Sequence, residues 1–205
     1  EDLGWGKDTI DVIVFVSSSA DYVVPPTACI IQEELGLPET CLSIEIKHGC
    51  SGWVVGLNSA ASLIMGGCLK RALLLCGDTS TLLHSPFDKE PRPLFGDAGS
   101  CTALEFDTIA STLEFEHGTR GKDFKSIYTP VGGCRNAVTA KDLEFIEYGP
   151  NQLRRNIDCT MDGMNVFAFG MSVAPKSVKR LAEKYVLNLE QMDYLFLHQA
   201  NHYMN

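Results

Sequence analysis

A near-continuous apolar run over residues 10–16, IDVIVFV, constrains the fold of this chain more than any other stretch. Its β-branched residues and its lack of polar alternation are typical of a strand that is buried on both faces. CLSIEIK, at residues 41–47, alternates as a strand does, and RALLLCG, at residues 71–77, is a second buried run. These three segments are predicted to be strands.

Helical segments separate the predicted strands. PPTACIIQEELGL, at residues 25–37, has two prolines suited to the start of a helix and Gly36 suited to its end. Residues 50–66 are long enough for a helix and apolar nearly all round, which predicts a helix in the middle of the protein. The alternation of strand and helix predicts an α/β layered fold, with helices packed on a mixed sheet.

The pattern divides the chain into three parts. Residues 1–118 form the first α/β part, in which SCTALEF (100–106) and STLEFEH (111–117) predict two further strands. Residues 119–162 are less regular and Gly-rich, which indicates a connecting excursion. A second α/β part is expected to begin over residues 163–205.

The second part is predicted to open with a helical region over residues 163–185, which Pro175 must kink or divide. MDYLFLHQAN, at residues 192–201, then repeats the pattern of IDVIVFVSSS: an Asp, an apolar strand and small polar residues. This repetition predicts two similar halves, the second of them truncated. Because the chain begins with Glu and stops directly after a strand-like run, we expect it to be a fragment of a longer protein.

Composition and charge argue against several classes of function. The net charge of −9 disfavours sequence-independent binding to nucleic acid. We find no signal peptide and no apolar stretch of about 18 residues that would predict a membrane span. The 8 cysteines form no CxxC pair and no Cys/His cluster with zinc-ligand spacing. Several lie in apolar runs, as reduced core thiols do, so we expect a cytoplasmic protein without a metal site.

Cys50 lies in KHGCSGW, where a predicted strand gives way to a predicted helix. A Cys in the first turn of a helix faces unpaired backbone N–H groups and the positive end of the helix dipole, which favours the thiolate by roughly 0.3–2 kcal/mol. Gly49 and Gly52 leave room for a substrate, and the same N–H groups could help to hold a thioester oxyanion. Cys50 is therefore a candidate nucleophile; the alternative is a small buried thiol of the core.

His198 is the natural partner of this cysteine. It ends the predicted strand at residues 192–197, where a side chain is held rigidly and a neutral imidazole can donate or accept a hydrogen bond. The alternative is a structural hydrogen bond at the end of a strand.

Three motifs together point to a family. HGCSGW, LFGDAGSCTAL and HQAN, in this order along nearly the whole chain, resemble the β-ketoacyl-acyl carrier protein synthase III family. This family belongs to the condensing enzymes of the thiolase-fold superfamily. The resemblance implies a layered αβαβα fold with mixed sheets, two similar halves and a buried central helix after the cysteine.

The resemblance also implies a reaction. Cys50 would take an acyl group from acyl-CoA as a thioester, after which malonyl-acyl carrier protein loses CO₂ and its carbanion attacks the acyl-enzyme. His198 would stabilise the enolate oxygen together with an Asn, which the family carries in a later segment that this chain does not contain. The implied setting is fatty acid or polyketide biosynthesis by a homodimer that uses no metal or further cofactor. The chain by itself is then expected to hold half a site and to catalyse no condensation.

Residues that resemble the family's substrate-binding positions are Val24, Phe95, Gly163, Phe167 and Asn201. The family often has a Phe at the position of Val24, where it closes the acyl pocket of the partner subunit. The smaller Val24 therefore predicts a roomier pocket and a starter acyl group longer than acetyl.

Some residues depart from the family pattern. His48 stands where a small apolar residue is usual, and it could tune the Cys50 thiolate or make a structural hydrogen bond. Tyr203 replaces an Arg that aids the carrier protein.

A stripe of basic residues could meet an acidic carrier protein or could be a solvated helix face. It consists of Lys176, Lys179, Arg180 and Lys184.

Two other functions remain open from the sequence. A protein of the same fold could transfer an acyl group without decarboxylation, and a non-catalytic subunit could pair with an active chain. The presence of both Cys50 and His198 argues against the idle subunit. A hydrolase is disfavoured because the sequence lacks G-x-S-x-G.

Overall fold

The computed structural model describes residues 3–200 and Tyr203, which divide into two compact units. The first unit takes the chain up to Thr79 together with Asp97–Leu113. The second unit takes Ser80–Gly96 and the chain from Glu114 onward.

The first unit is built on a mixed sheet of four strands. The strands follow the order β2-β1-β3-β4, in which β1 is parallel to β2 and β3, and β4 is antiparallel to β3. Their bounds are Val12–Ser17 for β1, Leu42–Lys47 for β2, Arg71–Asp78 for β3 and Ala98–Glu105 for β4. All four were expected from the sequence, and the mixed sheet is confirmed.

Strand β1 is the centre of the core, and both of its faces are covered. Val12 and Val14 pack in a cluster with Ala60 of helix α2 (Gly52–Met65), whereas Ile13 packs in a second cluster with Ala28 of helix α1 (Thr27–Glu34). Successive side chains of a strand point to opposite faces, so α1 and α2 cover opposite faces of the sheet. The continuous apolar run of β1 is therefore explained.

Two glycines allow α2 to lie close against the sheet. A Cβ on Gly56 would lie 2.5 Å from Cδ1 of Leu74 and 2.8 Å from Cγ2 of Val16. A Cβ on Gly52 would lie 2.6 Å from Cγ1 of Val16. Other residues of α2 are less buried, and Trp53 in its first turn is 45% exposed.

Among the described residues, the second unit contains two small antiparallel sheets and two α-helices. Strand β5 pairs with β8, and β6 pairs with β7. Their bounds are Ile127–Tyr128 for β5, Ile146–Gly149 for β6, Gln152–Arg154 for β7 and Thr160–Met161 for β8. Helix α3 spans Ser80–Leu83, and α4 spans Gly163–Tyr185 and continues through Pro175 as one helix.

Short 3₁₀ helices complete the described chain. They span Lys7–Thr9, Gly121–Ser126, Ala140–Leu143 and Leu189–Gln191. Within the part of the chain that the structure describes, no helix combines the length and the apolar character needed to cross a membrane.

Two strand predictions are wrong. Residues 111–117 form no strand; instead the carbonyl of Phe115 accepts hydrogen bonds from Nζ of Lys184 (3.1 Å) and from the hydroxyl of Tyr185 (3.0 Å), both on α4. Residues 192–197 also form no strand, and Phe196 is 90% exposed there. A strand needs a hydrogen-bonded neighbour, and among the described residues neither segment has one.

Candidate active site

Three parallel strands of the first unit end at one edge of the sheet, where Cys50 follows β2. Asp78, the last residue of β3, accepts hydrogen bonds there with its Oδ1 from the backbone N–H of Ser18 (2.7 Å) and from the hydroxyl of Ser17 (3.0 Å). It also accepts from the N–H of Ser19 (3.1 Å). One carboxylate thereby fixes the chain that leaves β1 beside this edge.

Cys50 is exposed and lies in a turn between β2 and α2. The N–H of Gly52 donates to the carbonyl of Gly49 at 2.7 Å, and Ser51 has φ −89° and ψ 8°, the angles of the third residue of a type I turn. The cysteine therefore comes two residues before the first residue of α2. We predicted that it would lie in the first turn of the helix, and this prediction is wrong. Gly52, which lies close against Val16, is the first residue of α2.

The start of α2 lacks the usual side-chain cap. The hydroxyl of Ser51, at the N-cap position, makes no capping hydrogen bond; it is paired with Nε2 of His48 at 2.9 Å. A Ser at this position ordinarily accepts from a first-turn N–H group. The positive end of this 14-residue helix thus stays uncapped by a side chain directly after Cys50.

Three other cysteines are more buried than Cys50. Desolvation by burial raises the pKa of Cys41, Cys76 and Cys159, and at Cys76 the negative charge of Asp78 adds to this effect. These thiols therefore stay protonated at neutral pH, as expected of core cysteines. Cys50 combines exposure with a position before an uncapped helix.

His198 belongs to the second unit, whereas Cys50 belongs to the first. His198 is exposed and lies in a segment without regular structure, where its carbonyl accepts from the N–H of Ala200 at 3.0 Å. The strand that we expected to hold it rigidly is absent from the described chain, so its candidacy rests on the HQAN motif.

The predicted substrate-binding residues fall in both units. Val24 is 79% exposed in the loop before α1, and Gly163 is the first residue of α4. Phe167, on the same helix, is 39% exposed. The ring of Phe95 stacks on His84, with 4.6 Å between the ring centroids. Asn201 lies outside the described residues.

The second unit also contains a cavity of about 830 Å³ that the sequence did not reveal. Gly163 lies in its wall beside Arg154, whose guanidinium is buried. Arg154 donates to both carboxylate oxygens of Asp88 and to Glu90, and it lies over the ring of Tyr148 at 4.1 Å. Asp88 and Arg154 are 66 positions apart, and nothing in the sequence indicates that they pair.

Part of the basic stripe of α4 makes contacts with other residues of the second unit. Arg180 donates to Glu116 at 2.7 Å, and this hydrogen bond lowers the pKa of the Glu116 carboxyl. Lys184 lies 3.8 Å from the same carboxylate. Two of the four basic side chains therefore contact residues 115–116, which favours a structural role for this half of the stripe.

Comparison with known proteins places this arrangement in a family. The sequence profile of 3-oxoacyl-[acyl-carrier-protein] synthase III matches residues 44–121, which include Cys50 and Phe95. A crystal structure of a 3-oxoacyl-(acyl-carrier-protein) synthase III superposes on 98% of this chain with a TM-score of 0.88 and 32% identity. The chain belongs to the 3-oxoacyl-[acyl-carrier-protein] synthase III family.

Other members of the synthase III family agree in fold and sequence. A 3-oxoacyl-(acyl-carrier-protein) synthase from Burkholderia xenovorans LB400 is 34% identical with a TM-score of 0.82, covering 99% of this chain and 56% of its own. A Campylobacter jejuni protein named as a 3-oxoacyl-[acyl-carrier-protein] synthase 3 is 31% identical over 97% of this chain. This chain spans 56% of that relative and 60% of the first crystal structure. It therefore spans little more than half the length of its relatives.

Proposed function

We propose that this protein is a condensing enzyme of the synthase III type, with Cys50 as its nucleophile. The Cys50 thiolate attacks the thioester carbonyl of an acyl-CoA, and the tetrahedral intermediate expels the CoA thiolate, which leaves the acyl group on Cys50. Malonyl-acyl carrier protein then loses CO₂, and the resulting enolate carbon bonds to the acyl carbonyl carbon and releases the Cys50 thiolate. His198 donates a hydrogen bond to the enolate oxygen during decarboxylation.

The observation that carries this proposal is the exposed thiol of Cys50 before an uncapped helix in a chain of this family. Thiolates are the reactive form of cysteine, and the positive end of a helix stabilises them. The first-turn N–H groups are also donors of the kind that stabilise an oxyanion.

The remaining parts of the proposal come from the family. The protein would act on acyl-CoA and acyl carrier protein as a cytoplasmic homodimer, in fatty acid or polyketide biosynthesis, without a metal or a further cofactor. Neither nucleic acid nor a membrane is expected as a partner, in keeping with the net charge of −9.

Acylation of Cys50 is the first test of this function. Incubation of the intact protein with radiolabelled acyl-CoA is expected to leave a stable label, which peptide mass spectrometry should place on Cys50. Cys50→Ala should abolish the label, whereas Cys68→Ala, which removes another exposed thiol, should retain it. A label that is absent with every acyl donor would favour the non-catalytic subunit. A label that leaves for another acceptor without CO₂ release would favour acyl transfer without decarboxylation.

The length of the starter acyl group is a second test. Because Val24 is smaller than the Phe that the family often has there, acyl-CoAs longer than acetyl are expected to label Cys50 faster. Val24→Phe should shift the preference toward acetyl-CoA by roughly 10-fold or more, since even one methylene more or less in a hydrophobic pocket is worth about 1–3 kcal/mol. Val23→Phe, in the same exposed loop, is the matched control and should leave the preference unchanged. A wild-type preference for acetyl-CoA would show that Val24 does not set the size of the pocket.

A further inference from the structure

His48 and Ser51 flank Cys50 in the sequence and are joined by a hydrogen bond. Nε2 of His48 lies 2.9 Å from Oγ of Ser51, a distance at which a hydroxyl and an imidazole pair well. A backbone bond from the N–H of Gly52 to the carbonyl of Gly49 encloses the same turn. Two hydrogen bonds therefore hold the short segment that carries the thiol.

The two ends of this segment are fixed by other contacts. On the helix side, Gly52 lies against Val16, and the indole N–H of Trp53 donates to Oγ1 of Thr102 on β4 at 3.0 Å. On the strand side, the N–H of His48 donates to the carbonyl of Ser17 at 3.3 Å. The position of Cys50 is thus set by the few residues between two anchored elements.

The residues between these anchors have little else to restrain them. Gly49 has no side chain, and a Cβ built on it would meet open space within 4 Å among the described residues. Cys50 and Ser51 are exposed. The side-chain bond between His48 and Ser51 therefore adds to the backbone bond between Gly52 and Gly49 in tying this exposed turn to the end of β2.

The same bond also explains why α2 is uncapped. A capping Ser has an extended backbone, whereas Ser51 has ψ 8° and directs its hydroxyl to His48. While this bond holds, the first-turn N–H groups of α2 receive no side-chain cap from Ser51. The N–H of Gly52 already donates to the carbonyl of Gly49, so contact with the thiolate, or with a thioester oxygen bound beside it, falls to the later N–H groups of the first turn.

We infer that His48 is a positioning residue for Cys50: through its hydrogen bond to Ser51 it holds the turn that presents the thiol at the uncapped start of α2. This inference rests on the proposed function only in taking Cys50 as the nucleophile. It assigns a role to His48, which stands where the family usually has a small apolar side chain. It also gives Ser51 a role in the same positioning contact.

Alkylation of Cys50 by iodoacetamide tests the inference without any acyl donor. His48→Ala and Ser51→Ala each break the bond, so each should slow alkylation at neutral pH by about two- to ten-fold, the range that one hydrogen bond of this kind supports. The double variant should be no slower than either single variant, because both remove the same bond. Alkylation at exposed Cys68 of the same molecules is the internal control and should not change.

Conservative variants complete the design. Ser51→Thr keeps the hydroxyl, and His48→Gln keeps a polar group that can reach it, so both should alkylate faster than the corresponding alanine variants. Unchanged alkylation in both alanine variants would overturn the inference. A much larger loss in Ser51→Ala than in His48→Ala would overturn it too, since Ser51 would then act on the thiol without His48. Because alkylation needs no acyl-CoA, these results are independent of whether Cys50 carries an acyl group.

Discussion

Replacing His198 by alanine is expected to leave acylation of Cys50 intact and to slow condensation by about 10²–10³-fold, the loss that follows removal of one oxyanion donor. The imidazole is proposed to bind the enolate oxygen, a charge that develops only after the acyl group is already on Cys50. The measurement separates the two steps. Acyl label on Cys50 reports the first step, and release of labelled CO₂ from malonyl-acyl carrier protein reports the second.

Two further variants of the intact protein serve as controls for this result. His198→Gln retains an N–H donor and should recover part of the condensing rate, whereas Gln199→Ala, at the neighbouring position, should stay near the wild-type rate. Loss of acylation in His198→Ala would assign the imidazole to the first step. Condensation at the wild-type rate would remove His198 from the reaction.

The parts of the fold that could be predicted are those whose signal is local in the sequence. Strand β1 is an unbroken apolar run because helices cover both of its faces. Helix α1 lies between Pro26 and Gly36, and Gly36 adopts φ +61°, which a glycine allows at the end of a helix. Such features depend on residues a few positions apart, so their periodicity and their turn residues are sufficient.

The wrong predictions concern features that depend on distant residues. Residues 111–117 alternate as a strand does, but whether they form one depends on a lateral neighbour, and the side chains of α4 take the carbonyl of Phe115 instead. Cys50 was placed in a helical turn because the apolar run begins there. The close approach of Gly52 to Val16, at the residue where the helix begins, follows only from the packing of α2 on the sheet.

The candidate site was predictable in its residue types more than in its geometry. Short motifs make Cys50 and His198 candidates, and a hydrogen bond of His48 is one of the two roles that the sequence predicts for it. Its partner Ser51, and the loss of the cap that results, required the side-chain positions. The pairing of Asp88 with Arg154 had no signal in the sequence at all.

That buried pair gives the largest expected effect on stability. Arg154 is 5% exposed and Asp88 is 1% exposed, and the guanidinium bonds both carboxylate oxygens. Desolvation alone would lower the pKa of Arg154, but the bonds to Asp88 and Glu90 outweigh it, so the pKa is raised and the charge is held. Removing one partner leaves an uncompensated buried charge, which typically costs 3–5 kcal/mol.

Arg154→Met is therefore expected to destabilise the second unit by about 3–5 kcal/mol. Amide hydrogen exchange is the suitable measurement because both tryptophans, Trp5 and Trp53, lie in the first unit and cannot report on the second. Exchange should accelerate by roughly 10²–10³-fold in β6 and β7 and stay unchanged in β1, since each 1.4 kcal/mol corresponds to about a factor of ten.

A matched substitution separates burial from charge. Arg120 and Asp123 form an exposed ion pair in the same unit, with side chains 38% and 43% exposed, so Arg120→Met should change exchange little. Asp88→Asn should cost less than Arg154→Met, because the amide oxygen still accepts from Arg154 and Glu90 still balances its charge. Equal exchange in Arg154→Met and Arg120→Met would show that the buried pair contributes no more than an exposed one. The cavity wall beside Gly163 would then be held by packing around Tyr148 rather than by the ion pair.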